Sequence, residues 1–180
     1  MIVSTYYNRE NDTVLMATTK QQNSVETIDN ITVLKNEGAT VGVNAHNLGL
    51  NLNPGLNDSK AMPDSLTKLF AEELENPFEV GLIESVEKHP KSEKLNVCQV
   101  RLNSGTTQIV CGAANVSSGI KVIVAKVGAV MPNGMSIVPS KLIDVPSNGM
   151  ICSLRELGRE QLSPGIEILG DDYQVGQDYL

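Results

Sequence analysis

The sequence is poorest in aromatic residues. Rings make up 3% of its 180 positions, with no Trp, two Phe and four Tyr. After Phe78 only Tyr173 and Tyr179 remain, both close to the C-terminus. Proteins that bind single-stranded nucleic acid without sequence preference stack bases on exposed rings, so this half is not expected to carry a stacking platform. Cysteine is scarce too: Cys98, Cys111 and Cys152 stand far apart, odd in number and without C-x-x-C spacing. That argues against a disulfide framework or a zinc site and fits a reducing, cytoplasmic setting. Two histidines, His46 and His89, cannot build a metal cluster by themselves. No apolar run approaches 18 residues, and MIVSTYYNRENDT has neither a basic nor an apolar leader region. The expectation is a soluble, unexported chain with no membrane span.

What is present is enough for a core: hydrophobic residues make up 41%. The net charge of −7 disfavours nucleic acid at face value, yet it is unevenly spread. Residues 1–77 hold five cations against ten carboxylates, a net −5. Residues 78–180 hold nine against eleven, and all nine cations fall between Lys88 and Arg159. Only Glu93, Asp144 and Glu156 oppose them there, which leaves that segment at +6. The bases sit in turns and at strand ends, at Lys88, Lys91, Lys94, Lys121 and Lys141, followed by Arg155 and Arg159. Two readings fit this pattern: a surface charged for solubility, or a modest phosphate-facing patch on an otherwise acidic protein.

Residues 1–77 read as a small α+β module. Ile2–Tyr7 and Thr13–Thr19 flank the polar turn Asn8–Asp12, a hairpin pattern, and Ser24–Ile28 with Ile31–Lys35 repeat it around Asp29-Asn30. Ala39–Asn44 is a further apolar run, and Asn44–Ser59 reads as loop. Pro63-Asp64-Ser65 starts a helix whose Leu66, Leu69, Phe70 and Leu74 share one face, with Asn76-Pro77 as its stop. From Phe78 the texture becomes that of short strands between Gly/Pro turns: Val80–Glu87, Leu95–Leu102, Thr107–Cys111, Ile120–Val127, Ser136–Val138 and Met150–Cys152. The fold class is therefore mainly β, with a small β-barrel or sandwich over 78–180, a length that fits an OB-type barrel. Apolar residues on both faces of Leu95–Leu102 suggest a strand covered on both sides or one bent sharply at a bulge.

Ser147–Gly158, SNGMICSLRELG, combines a turn signal, a short apolar strand and the S-x-x-E spacing of a capping box at Ser153 and Glu156. Gly158 supplies a left-handed stop after about one turn. Ser153 thus opens a helix, where a phosphate is welcome, although Glu156 competes for the same donors. Gly112 is expected to hold a backbone conformation closed to other residues, with Asn115 either capping that turn or bonding a ribose. Of the thiols, Cys111 reads as core and Cys152 as the more exposed. No paired carboxylates, Ser-His-Asp, Cys-His or nucleotide loop is visible, so an enzyme is not expected.

Five stretches carry a resemblance: His89-Pro90-Lys91-Ser92-Glu93-Lys94-Leu95, Val97-Cys98-Gln99-Val100, Ile109–Val116, Val127–Pro132 and Ser147–Gly158. In this order and spacing they resemble the EMAP-type tRNA-binding OB domain found at the N-terminus of the phenylalanyl-tRNA synthetase beta subunit. Lacking an aminoacylation domain, the chain is more similar to the small stand-alone YtpR-type relatives. The resemblance implies an OB-fold barrel over 78–180, tRNA as partner, no cofactor and no catalysis. It places the turn and helix start with Ser147, Met150 and Ser153 on the RNA-facing side, where the charge pattern adds Lys88, Lys91, Lys94, Lys121, Lys141, Arg155 and Arg159, and the turn reading adds Asn115. Two positions depart from the family pattern: Ala114 stands where Pro is common, and Lys141-Leu142-Ile143-Asp144 replaces a Lys-x-Arg-Gly run. Losing Arg and gaining Asp weakens phosphate attraction there. A second reading is a scaffold or protein-interaction module that has lost RNA affinity. Beside tRNA, a protein partner at residues 1–77 and a homodimer are the further partners considered.

Overall fold

A computed structural model describes residues 1–159 and 163–179, which form two compact units. The first gathers Met1–Pro77 and Gly128–Ser136, and the second Phe78–Val127 and Ile137–Tyr179. The change in composition marks only the break at residue 77. The return of Gly128–Ser136 to the first unit is written in hydrogen bonds, among them Val130 N–H donating to Ser4 Oγ at 2.8 Å.

The first unit is one antiparallel sheet of β1 (Ser4–Asn8), β2 (Thr13–Ala17), β3 (Ser24–Ile28), β4 (Ile31–Asn36), β5 (Ala39–His46) and β6 (Gly55–Asn57), in the order β3-β4-β5-β2-β1-β6. Both hairpins read from the sequence are present. Val14 and Met16 point to one face of β2, where they lie opposite Ala45 and Val43 of β5. All four are buried, and Leu66, Phe70 and Leu74 pack with them. The segment carrying those last three residues is less helical than its spacing suggests. Only α1 (Asp64–Thr67) is α-helical, and the following bonds, Leu69 N–H to Leu66 O and Phe70 N–H to Thr67 O, are of the tighter three-residue kind. Three carboxylates at 72, 73 and 75 would stand at the negative end of a longer helix, where they destabilise it. β6 forms inside the stretch read as loop, by pairing with β1.

The second unit contains β7 (Phe78–Lys88), β8 (Asn96–Leu102), β9 (Gly105–Cys111), β10 (Lys121–Ala125), the hairpin β11 (Ser140–Leu142) and β12 (Val145–Ser147), then β13 (Met150–Ile151) and β14 (Ile168–Leu169). Its main sheet runs β13-β10-β7-β8-β9, with β14 also on β10. At 11 residues β7 is long enough to pair β10 through residues 78–82 and β8 through residues 82–88. The register slips between Ile83 and Ser85, a bulge that bends the sheet. The bulge expected in Leu95–Leu102 thus lies in its neighbour β7, while β8 pairs β9 without a slip and turns Asn96, Cys98, Val100 and Leu102 inward. Gly81 lies at the crossing, where a Cβ would stand 2.7 Å from Val100 Cγ1 and 2.9 Å from Val124 Cγ2.

The sheet is drawn into an OB-type barrel by residues 147–149. Asn148 N–H donates to Gln108 O at 2.9 Å, and Val110 N–H to Ser147 Oγ at 3.0 Å, so β9 is tied to the chain entering β13. Gly149 has φ +135, and a Cβ there would meet Ala125 O at 3.0 Å and Ile109 Cδ1 at 3.2 Å. The strand expected at Ser136–Val138 does not form. Ser136 makes one isolated bridge to Val130, and the β11–β12 hairpin follows instead. Among the described residues no helix is long and apolar enough to cross a membrane.

Candidate nucleic-acid interface

The basic face is built on the loop between β7 and β8. His89 is buried, and its backbone N–H donates to Leu95 O at 3.1 Å, closing the loop. Its Nδ1 accepts the Lys91 N–H at 3.0 Å, which leaves Nε2 to donate to Leu142 O at 2.9 Å. One imidazole therefore fixes the loop and ties it to the β11–β12 hairpin, while Pro90 limits the backbone further. Lys88, Lys91 and Lys94 project outward from this frame, and Lys141 is exposed on β11. Residues 88–93 line a cleft of about 430 Å³.

At the hairpin's tip Ile143 (φ +46) and Asp144 (φ +71) both adopt left-handed backbone. A two-residue turn of this kind favours Asn-Gly. A β-branched residue there costs roughly 1–2 kcal/mol, which the bonds from the His89 loop offset. The turn brings Asp144 Oδ2 to 2.6 Å from Lys91 Nζ.

The nine cations divide by what they touch. Arg101 pairs with Glu84 at 3.4 Å, and Lys126 with the buried Glu79 at 3.5 Å. Lys121, on β10 opposite Leu82 and Leu169, gives its Nζ to the carbonyls of Asp171 and Tyr173. Arg159 donates to the Tyr179 hydroxyl at 3.1 Å and lies 5.1 Å from that ring's centre. Lys88, Lys94, Lys141 and Arg155 are exposed and have no carboxylate partner among the described residues. The first three belong to the loop and hairpin that His89 joins, whereas nothing groups Lys121 with them.

The polar candidates are mostly occupied. Ser147 is 2% exposed and holds Val110 N–H, so it closes the barrel and offers nothing outward. Asn115 neither caps its turn nor stands free. It spans 51 residues to clamp Ile166, accepting its N–H at 3.1 Å and donating to its carbonyl at 2.9 Å. Gly112 is not in left-handed backbone. Its missing Cβ makes room for Leu95 Cδ2, which would lie 3.3 Å away. Met150 is half-buried opposite Ala125.

Ser153 forms the capping box that its spacing predicts. Its N–H donates to Glu156 Oε2 at 2.7 Å, and its Oγ accepts Glu156 N–H at 3.2 Å while donating to the same carboxylate at 2.8 Å. Gly158 (φ +70) ends the turn, with Gly158 N–H on Arg155 O and Arg159 N–H on Leu154 O, both bonds of a Schellman motif. The result is a single turn whose hydroxyl is already engaged at both ends. Arg155 is exposed on this turn. Cys152 corrects an expectation: it is fully buried. Cys152 follows β13 into the core, and burial pushes all three thiols up, Cys98 to about 12.

His89 as the hairpin's anchor and Asp144 as the partner of Lys91 were not legible in the sequence. Both links span 53 residues, and the one available signal was an acid standing in a basic run.

Residues 78–178 match the family model described as "Putative tRNA binding domain". Over 98% of its length the chain is 38% identical to "Putative tRNA-binding protein YtpR" of Bacillus subtilis, covering 99% of that protein. It is also similar to phenylalanine–tRNA ligase beta subunits. With that of Oceanobacillus iheyensis it shares 50% identity over 59% of this chain and 14% of the subunit. With that of Campylobacter jejuni (strain RM1221) it shares 52% over 54% of this chain and 12% of the subunit. The chain thus spans nearly all of the first relative and only a small fraction of the ligase subunits.

Proposed function

Because the chain belongs to this tRNA-binding-domain family, we propose that it is a non-catalytic cytoplasmic protein that binds folded tRNA by shape and phosphate contacts. The observation that carries this reading is the rigid loop at His89. It holds exposed Lys88 and Lys94 beside Lys141, all three without carboxylate partners among the described residues. Phosphates are met by such cations, and the wide, shallow groove of an RNA helix is read by shape and 2′-hydroxyls. The two late rings support shape over stacking: Tyr173 and Tyr179 lie 6.0 Å apart, and Tyr179 is buried beneath Arg159. Three buried thiols, each held protonated, supply no nucleophile. The ligase subunits' reaction does not transfer to a chain that spans 12–14% of them.

A role in protein contact has its own observation in the first unit. β3 is an edge strand exposed along all five residues, on a segment of net charge −5. The test of the RNA reading is tRNA affinity across a salt series for Lys88→Ala, Lys94→Ala and Lys141→Ala. Each should weaken binding and flatten the salt dependence by about 0.9 of a unit or less, with thermal stability unchanged. Three variants that bind like the parent would overturn this face and leave the protein-contact role as the better account.

A further inference from the structure

We propose that Asp144 is a built-in competitor of phosphate at Lys91, so that the β11–β12 hairpin limits how tightly the basic face holds RNA; the proposal rests on the RNA-binding reading above. The two charged atoms are 2.6 Å apart, and their side chains are 60% and 78% exposed. A phosphate oxygen can therefore reach the same ammonium from solvent, and the contact it would make is already made by a carboxylate. Exposed pairs of this kind are weak, so exchange of carboxylate for phosphate is open to an incoming RNA.

What makes the acid a competitor and not a passing neighbour is how its position is held. Asp144 sits in left-handed backbone beside Ile143, in a two-residue turn that fixes where its side chain leaves the hairpin. The hairpin is held against the loop by the bond from His89 Nε2 to Leu142 O, and the same imidazole holds Lys91 N–H. Loop and tip thus form one frame. A carboxylate displaced from Lys91 cannot leave the face and stays beside the phosphate that replaced it. Binding at Lys91 then exchanges one anion for another and adds a like-charge contact. Lys88, Lys94 and Lys141, with no such partner among the described residues, carry no equivalent penalty. Glu93, on the same loop, makes no ion pair with Lys91 among the described residues.

The test is Asp144→Asn, which keeps the side chain's shape and tolerates left-handed backbone, with Asp144→Gly as a second variant suited to the same turn. Affinity for tRNA is measured at about 0.1 M salt, where exposed charges act over roughly 10 Å. Both variants should bind about threefold tighter or more and steepen the salt dependence, as the gain of one phosphate contact does. In a Lys91→Ala background, Asp144→Asn should bring no gain. Parent-like binding by both single variants would overturn the proposal. So would a gain that survives without Lys91, because the carboxylate would then act through the general field. Lys88→Ala, run in the same titration, separates the two failures: if it weakens tRNA binding while Asp144→Asn changes nothing, only this proposal falls. If the parent and every variant fail to bind tRNA, the RNA-binding reading falls and takes this one with it.

Discussion

Replacing Ser147 with Ala removes one oxygen from the place where the two edges of the barrel meet. Val110 N–H donates to that oxygen at 3.0 Å, between residues 8% and 2% exposed. The second contact of the hydroxyl, to Gly149 O at 3.5 Å, is too long to contribute much. The cost is therefore that of a buried N–H left without an acceptor, about 1–3 kcal/mol. At about 2–4 °C per kcal/mol for a chain of this length, the melting midpoint should fall by roughly 2–12 °C. Circular dichroism melts of parent and variant read this directly. Affinity for tRNA, measured well below either midpoint, should stay within about twofold, since the hydroxyl faces the core. An unchanged midpoint with binding weakened tenfold would instead mean that Ser147 faces the ligand.

Ser153→Ala should cost about 0.5–2 kcal/mol in the same melts, as loss of an N-cap does, with tRNA affinity retained. Binding lost without a loss of stability would instead make the Ser153 hydroxyl an RNA contact. In the first unit the Asp12 carboxyl is held below the usual range, first by the Gly49 N–H on its Oδ2 and also by the Tyr7 hydroxyl on its Oδ1. A carboxyl depressed on folding stabilises above its unfolded pKa of about 3.9, and that stability is lost as pH falls through the folded value. Asp12→Ala should therefore give a stability curve flatter than the parent's below about pH 4, and parallel curves in acid titration melts would contradict the assignment.

What could be read along the chain were features whose cause is local. The polar turns of both hairpins and the S-x-x-E spacing at Ser153 each act within a few residues, and each appears as expected. The helix after Pro63 had the right apolar face, and Leu66, Phe70 and Leu74 do reach the core. Its length was set by unfavourable carboxylates and three-residue bonds, which periodicity does not weigh. The β11–β12 hairpin went unread because Ile143-Asp144 lacks turn chemistry, and its shape is imposed by His89 from 53 residues away. The same distance in sequence hid the state of the lysines. Lys91 and Lys88 look alike in the chain, and only the fold shows that Lys91 alone meets Asp144.

Recognition of a folded RNA without a stacking platform is tested by a competition between tRNA and an unstructured single-stranded RNA of equal length, titrated against the full chain across a salt series. The face described here predicts that tRNA binds at least about tenfold tighter, roughly 1.4 kcal/mol, with both affinities falling as salt rises. Equal affinity for the two, or tighter binding of the single strand, would contradict it.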